Sequence, residues 1–262
     1  MFYGKKMLWA VLAIVVLAFM PACGGGGGSG GSGDTDSAIN VSPEGHWVGT
    51  FVDADSSQST VLGLITASGE VQFVNFGEQG QAGAAEQYGM SGQISMNGSS
   101  GSGVVSILPP QDYHYTDPNL VPKATLSFEV VEKQSITGSY VSEDDSGSFY
   151  LEYSNSYEHP SALDLIEGNW GYFQQTFGLS KSLVIGQDGS FTGSDNMGCS
   201  YSGNISVINP SYNLYRVTTT ISGCVQEVHR GLAHVSYETE PYGLIIYSSS
   251  DVSRIVDMFR RE

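Results

Sequence analysis

The sequence predicts an all-β fold in which two eight-stranded antiparallel up-and-down barrels follow an N-terminal segment and a flexible linker. Short β-branched and aromatic runs recur along the chain and are separated by Gly, Asn, Asp and Ser, which is typical of strands and turns. Long runs with helical periodicity are absent from the sequence. Beyond the linker about 220 residues remain, enough for one large or two small domains.

The first 22 residues have the layout of a secretory signal peptide. Lys5 and Lys6 form a positive start, an apolar run covers residues 7–19, and the small residue Ala22 stands at the cleavage position. The apolar run is shorter than the ~20 residues that a spanning helix needs. We therefore expect residues 1–22 to be removed on export, with an uncleaved anchor as the alternative.

Cys23 directly follows this segment, and the combination resembles the lipobox of bacterial lipoproteins. The resemblance implies that Cys23 becomes the first residue of the mature chain and carries a diacylglycerol and a further fatty acid such as palmitate. In that family an Asp after the cysteine retains the protein in the inner membrane. Gly24 therefore implies the outer membrane of a Gram-negative cell, on its periplasmic or its outer face.

Residues 23–43 are predicted to form a flexible tether between the lipid and the folded part. From Gly24 to Gly33 the chain contains only Gly and Ser, a composition typical of flexible linkers. A flexible chain of about 20 residues spans about 25 Å on average. We expect the folded part to sit away from the bilayer surface and to reorient freely.

The charge of the chain restricts its partners. The sequence carries 27 acidic and 10 basic residues, and removal of Lys5 and Lys6 with the signal leaves eight basic residues and a net charge of −19. Phosphate backbones and anionic lipid headgroups repel such a chain. We therefore expect no nucleic-acid partner, and we expect the lipid, not surface charge, to hold the protein at the membrane.

The folded part contains an internal repeat. Three sequence matches occur in the same order, with offsets of 123, 120 and 111 residues. The matches pair Glu44–Trp47 with Glu167–Trp170, Ile65–Val71 with Ile185–Phe191, and Ser91–Ser95 with Ser202–Ser206. A tandem duplication explains this order, and it places the first domain at residues 44–157 and the second at 158–262.

Each domain is predicted to contain eight strands joined by short links. In the second domain the predicted strands are Asn169–Gln174, Lys181–Ile185, Ser190–Gly193, Tyr201–Ile208, Leu214–Ser222, Val228–Tyr237, Gly243–Ser248 and Ser253–Arg260. Consecutive antiparallel strands favour an up-and-down barrel, because closure removes exposed sheet edges. An eight-stranded β-sandwich is the alternative.

The start of each domain, Gly-x-Trp, resembles the opening strand of lipocalin- and avidin-like barrels. The resemblance implies that Trp47 and Trp170 plug the closed ends of the two barrels. The segment Gly189–Gly203 also resembles uncharacterised bacterial lipoproteins, and this likeness implies no activity. Before the second barrel, Pro160–Glu167 is predicted to form a short helical turn with Ser161 as its N-cap.

Cys199 and Cys224 are predicted to form a disulfide. They flank one predicted hairpin and face each other to within one residue of register, a difference that a bulge at Gly223 would absorb. An exported protein meets an oxidising compartment, and lipidation of Cys23 leaves these two as a pair. Metal ligation or a reactive thiol is the alternative. Since the first domain has no such pair, we expect it to be the less stable one.

The sequence predicts no enzymatic activity, cofactor or metal site. No H-E-x-x-H, G-x-S-x-G or P-loop motif is present. His229 and His234 have opposite parity and face opposite sides of a regular strand, so they cannot chelate a metal together. His46, next to Trp47, is predicted to face outwards. The acidic residues lie mostly in predicted turns, where a loose calcium site is the alternative to a solvating role.

The expected function is therefore non-catalytic binding or a structural role at the cell envelope, with an unidentified protein or small molecule as partner. The loop Pro109–Pro122 carries Tyr113, His114 and Tyr115, and Tyr is well suited to surface contacts. The loop is expected either to display these side chains or to cap a barrel end. Two alternatives remain open: a carrier of a small apolar ligand in a barrel cavity, and a barrel-type inhibitor of secreted proteases.

Overall fold

A computed structural model of the chain describes residues 40–76, 86–109, 113–174, 178–237 and 242–262, without the side chains at 86, 87, 173 and 174. The predicted signal peptide, Cys23 and most of the tether lie outside the described residues. The first strands form one closed antiparallel barrel. They are β1 (Gly45–Asp53), β2 (Gln58–Ile65), β3 (Glu70–Phe76), β4 (Glu86–Asn97), β5 (Ser100–Leu108), β6 (Lys123–Val131), β7 (Ser135–Val141) and β8 (Ser146–Tyr153).

The second set of strands closes into another antiparallel barrel. They are β9 (Gly168–Gln174), β10 (Leu179–Ile185), β11 (Ser190–Asp195), β12 (Ser200–Val207), β13 (Tyr215–Ser222), β14 (Glu227–Ser236), β15 (Gly243–Ser249) and β16 (Arg254–Arg261). Short 3₁₀ helices cover Pro118–Leu120, Asn155–Glu158 and Leu163–Leu165. The predicted pair of eight-stranded up-and-down barrels is thus confirmed, and the sandwich alternative is wrong because both sheets close on themselves.

The two barrels follow the alternation that a one-sided core requires. Along β6 the buried residues are Ala124, Leu126, Phe128 and Val130, and the residues between them are exposed. In the first core the Phe51 ring meets the Phe149 ring edge-on, with centroids 5.3 Å apart. In β13 of the second barrel the same alternation buries Tyr215, Val217, Thr219 and Ile221.

The two tryptophans make equivalent hydrogen bonds in the two barrels, as the predicted internal repeat would require. Trp47 and Trp170 are almost fully buried in their barrel cores. The Trp47 indole donates to the carbonyl of Pro43 at 3.0 Å, and the Trp170 indole donates to that of Ile166 at 2.7 Å. In both copies the acceptor lies four residues before the tryptophan, so each ring anchors the chain that enters its barrel.

A glycine turn is also repeated. Gly69 and Gly189 both lie in the left-handed region, with φ of +82° and +78°. Their carbonyls accept from the amides of Ile94 and Ile205, each at 2.8 Å. A Cβ on either glycine would approach the carbonyl oxygen of the same isoleucine to about 2 Å. Both the backbone conformation and this close approach require glycine.

The helical turn before the second barrel is present, but its predicted cap is wrong. The 3₁₀ helix Leu163–Leu165 begins after Ala162, and its N-cap makes no side-chain hydrogen bond. The Ser161 hydroxyl is buried and donates instead to the carbonyl of Asn209 at 3.0 Å. The serine therefore joins the turn to the β12–β13 hairpin, a long-range contact that a local capping pattern does not reveal.

The predicted disulfide between Cys199 and Cys224 is present, with the two Cα atoms 4.9 Å apart. Strands β12 and β13 pair in the register expected from their apolar faces, with Tyr201 opposite Ile221. Gly223 absorbs the remaining residue in a left-handed conformation just beyond the end of β13, not as a bulge within it. The hairpin is thus covalently closed at its open end.

The two barrels pack side by side and belong to one compact unit. The contact joins the outer face of β1–β4 to the outer face of β13–β16. Its apolar centre contains Leu64 and Val74 from the first barrel and Leu232, Tyr247 and Val256 from the second. Each of these side chains points away from its own barrel core and is nevertheless buried.

Candidate functional site

The barrel interiors are filled with side chains over the described residues. The first core includes Phe51, Phe128 and Phe149, and a cavity enclosed by its side chains has a free volume of about 10 Å³. That volume is close to what a single water molecule needs. The second core is built in the same way around Trp170 and Phe259. A carrier function in either interior would need large movements of packed side chains.

A concave surface formed by both barrels lies between them. This inter-barrel groove has a volume of about 810 Å³ and is lined by β3–β6 of the first barrel and by β14 and the β15–β16 turn of the second. Such a volume is in the range of ligand-binding clefts. Its exposed apolar lining includes Pro118 and Val228, and its polar lining is rich in serine. The groove can therefore offer both hydrogen bonds and apolar contacts to a ligand.

A row of side chains runs across the floor of the groove. Ser249 of β15 donates to the hydroxyl of Ser91 in β4 at 3.0 Å and so links the barrels. Ser91 faces Ser106 in β5, and Ser106 in turn faces Lys123 in β6. On the other side, Ser249 faces Arg230 in β14. Three serines thus form the centre of the row, and a cation stands at each end.

Two carboxylates near the groove, those of Glu70 and Glu227, have protein partners. Glu70 forms a salt bridge with Arg216 at 2.7 Å across the barrel contact. Glu227 accepts from Ser253 at 2.7 Å and lies 2.8 Å from Nε2 of His229. Burial tends to raise the pKa of Glu227, but the hydrogen bonds from Ser253, His229 and Ser250 outweigh it and hold the pKa below its ordinary value. Glu227 is therefore an ionised, internally satisfied group.

The Ser253, His229 and Glu227 cluster does not have the geometry of a hydrolase triad. In a triad the serine and the carboxylate engage opposite nitrogens of the imidazole. Here Ser253 Oγ at 3.3 Å and Glu227 Oε2 at 2.8 Å both lie on Nε2. Nδ1 of His229 is buried without a hydrogen-bond partner among the described residues. The cluster instead fixes the β15–β16 turn against β14.

The predicted tyrosine loop borders the groove. Tyr113 and His114 are exposed, whereas Tyr115 is half-buried and its backbone N–H donates to the carbonyl of Val252 at 3.0 Å. Burial, and to a lesser degree Tyr88, raises the pKa of Tyr115. Of the three side chains, the loop exposes Tyr113 and His114, and its backbone at Tyr115 is hydrogen-bonded to the second barrel.

His46 and His234 meet at the contact between the barrels. Their ring centroids are 4.4 Å apart, and Nδ1 of His46 lies 2.7 Å from the Ser156 hydroxyl. Burial lowers the pKa of His46 to about 4. Burial, with an added effect of His46, lowers the pKa of His234 well below its ordinary value. Both rings are therefore neutral at neutral pH.

The histidine orientations follow the predicted parity. His229 lies on the inward face of β14 and His234 on its outward face, so the predicted opposite orientation of the two side chains is present. His46 faces outwards from its own barrel as expected, yet the second barrel buries it. Among the described residues no three potential metal ligands come together.

A second groove, of about 950 Å³, lies at the seam of the second barrel. Over the described residues, β16 pairs with β9 at only two positions, Arg260 with Gly171 and Arg261 with Trp170, whereas β1 and β8 share seven pairs. The groove reaches Lys181, whose ammonium group forms a buried ion pair with Asp257 at 2.8 and 2.9 Å. Because Lys181 and Asp257 neutralise each other, the ion pair has a structural role in the barrel and offers no net charge to a ligand.

The inter-barrel groove itself was not predicted from the sequence, although one signal was present. Residues Gly231–Val235 of β14 are buried on both faces. In the sequence this strand has apolar residues at both parities, Leu232 on one face and Ala233 and Val235 on the other, a pattern typical of a strand covered on both sides. The partner surface was not identifiable because it comes from a separate domain.

Comparison with models of known protein families and with curated proteins gave no match. None of the helices among the described residues has the length and apolar character required to cross a bilayer.

Proposed function

We propose that this chain is an exported, lipid-anchored lipoprotein whose two barrels form one non-catalytic binding module at the cell envelope. The inter-barrel groove is its ligand surface, and the exposed Tyr113 and His114 extend that surface at its edge. The observation that carries the proposal is the contrast between a groove of about 810 Å³ built from both barrels and barrel interiors that are filled.

The N-terminal sequence supports the anchoring part of the proposal. A basic, apolar and small-residue order ending at Cys23 is followed by a Gly/Ser tether. Lipid at Cys23 would hold the module at the outer membrane, and the tether would let the groove face a partner. Since the mature chain is strongly acidic, electrostatic binding to anionic lipid would contribute little.

Site-specific photo-crosslinking in host cells tests the ligand surface. A photoreactive p-benzoylphenylalanine replaces Val228, which lines the groove and is 42 % exposed. The matched control places the same group at Val184, an exposed valine in β10 of the same barrel. Because β10 and β14 are four strands apart in an eight-stranded barrel, the two positions face opposite directions.

We expect discrete crosslinked adducts from the Val228 position and none from Val184. The same adducts from both positions, or none from either, would contradict a ligand surface at the groove. A fluorescence melting curve for each variant shows that the bulky group has not unfolded the barrel.

A further inference from the structure

We propose that the inter-barrel groove binds a short acidic oligosaccharide, with Lys123 and Arg230 holding its carboxylates from opposite walls. The inference rests on the proposed function and adds the chemical class of the ligand. It begins from the cations of the chain. Among the described residues Lys133, Lys181 and Arg216 have carboxylate partners.

Lys123 and Arg230 differ from these residues. Both are exposed, and within the described part of the chain neither has a carboxylate at salt-bridge distance. Arg260 and Arg261 also lack a salt-bridge carboxylate among the described residues, but they do not line this groove. Lys123 and Arg230 are therefore the two cations of the groove that can each pair with a ligand carboxylate.

The carboxylates of the groove are not in ion-pair contact with these two cations. Glu70 pairs with Arg216, and Glu227 is turned towards Ser253 and His229. The ionised Glu227 and the exposed Asp251 of the β15–β16 turn equal Lys123 and Arg230 in number, so the lining carries no net charge. In a molecule that is otherwise strongly acidic, a neutral groove repels an anionic ligand least, and the two cations bind it by short-range contacts.

The row of serines between Lys123 and Arg230 favours a ligand with hydrogen-bonding groups between its two carboxylates. Ser91 Oγ accepts from Gln72 at 2.9 Å and from Ser249 at 3.0 Å. A hydroxyl has two acceptor sites and one proton, so with both acceptor sites occupied the Ser91 hydroxyl keeps its proton for donation to a ligand oxygen. Three strand spacings of about 4.8 Å and the serine contact separate the two cations. That span suits a chain of sugar rings better than a single small anion.

The groove also distinguishes a saccharide from an acidic peptide. Peptides often bind by adding a strand to an open sheet edge. The strands of the groove, β4, β5, β6, β14 and β15, are each paired on both sides and offer no such edge. Hydroxyls together with the exposed apolar Pro118 and Val228 match the polar rims and apolar faces of sugar rings. Long polyanions are disfavoured by the net charge of −19.

Titration calorimetry with uronic-acid trisaccharides tests the assignment. The probes are trigalacturonate and trimannuronate, and the methyl ester of trigalacturonate keeps the rings while removing the charges. We expect at least one trisaccharide to bind and the ester of trigalacturonate to bind at least tenfold more weakly than trigalacturonate whenever the latter binds. Tetraglutamate, an acidic peptide of similar length, serves as the competing ligand class.

Two groove variants and one matched control complete the experiment. We expect Lys123→Gln and Arg230→Gln each to weaken trisaccharide binding by five- to tenfold, because each removes one of two charge contacts. Arg260→Gln, which removes an exposed cation outside this groove, should leave the affinity unchanged. A urea unfolding curve for each variant confirms that the fold is retained.

The proposal is overturned if neither trisaccharide binds, if tetraglutamate binds more tightly, or if Arg260→Gln weakens binding as much as the groove variants do. Failure here, combined with crosslinks from the Val228 position, would reject the ligand class and leave the groove as a binding surface. Failure of both experiments would reject the groove itself.

Discussion

At the scale of single residues, the sequence predicted what depends on local parity and register. The disulfide between Cys199 and Cys224 and the opposite faces of His229 and His234 follow from strand alternation alone. The surroundings of His46 did not follow, because the residues that bury it belong to the other barrel. The parity of a strand residue predicts on which face of the sheet its side chain lies. Only the tertiary contacts decide whether that face is exposed to solvent.

The buried pair His46 and His234 predicts an acid-sensitive molecule. Since folding depresses their pKa values, the unfolded chain takes up protons that the folded chain excludes as the pH falls below about 6.5. Stability is therefore greatest above that pH and declines as the pH falls towards about 4. For His46 alone the loss corresponds to roughly 3 kcal/mol.

Urea unfolding between pH 4.5 and 7.5 measures this dependence. The variant His46→Gln, His234→Gln should show a shallower decline in the free energy of unfolding than the wild type. Replacement of the exposed His114 by Gln serves as the control and should leave the slope unchanged. Identical slopes in all three proteins would show that the histidine pair does not titrate across the transition.

At the scale of elements, the eight strands predicted for the second barrel lie within two residues of the observed ones, from β9 to β16. Alternating burial and glycine turns explain this agreement. The capping role of Ser161 was wrong because a distant hairpin supplies the hydroxyl with a better acceptor. Local sequence patterns predict strands well. The hydrogen-bond partners of a turn residue depend instead on which distant segment packs against the turn.

The β12–β13 hairpin provides a prediction at this scale. Replacing both Cys199 and Cys224 by Ala opens a covalent loop of about 25 residues, which costs about 3 kcal/mol in the chain-entropy model. Native-state hydrogen exchange, followed strand by strand, is the measurement. Amide protection should fall in β9–β16 and change little in β1–β8, and an equal fall in both barrels would mean that they unfold only together.

At the scale of the whole molecule, the sequence predicted two barrels but not the contact between them. Leu64 and Val74 of the first barrel bury against Leu232 and Tyr247 of the second, and this contact creates the groove. The inward residues of each barrel are accounted for by the core of that barrel. The buried outward apolar residues at the contact are accounted for only by the other barrel, so the candidate site exists only where both barrels are present.

The proposed lipid anchor at Cys23 is tested on the whole protein. Replacing Cys23 by Ala should abolish incorporation of labelled palmitate and move the protein from the membrane fraction to the soluble fraction of host cells. Ser29→Ala, within the same Gly/Ser stretch, is the control and should leave both readouts unchanged. Palmitate labelling that survives in the Cys23 variant would contradict lipidation at this residue.

The two copies meet through different surfaces, since β1–β4 of the first barrel correspond in order to β9–β12 of the second, yet the second barrel contributes β13–β16. This is a heterologous joint, unlike the self-matching surface of a twofold dimer. A heterologous joint does not close on itself, so it leaves the outer face of β5–β8 of the first barrel outside the direct contact. That face carries the exposed polar residues Ser102, Thr125 and Ser127 together with the exposed apolar residues Val104, Val141 and Tyr150. It is the face on which a further unit would pack if the same joint were repeated.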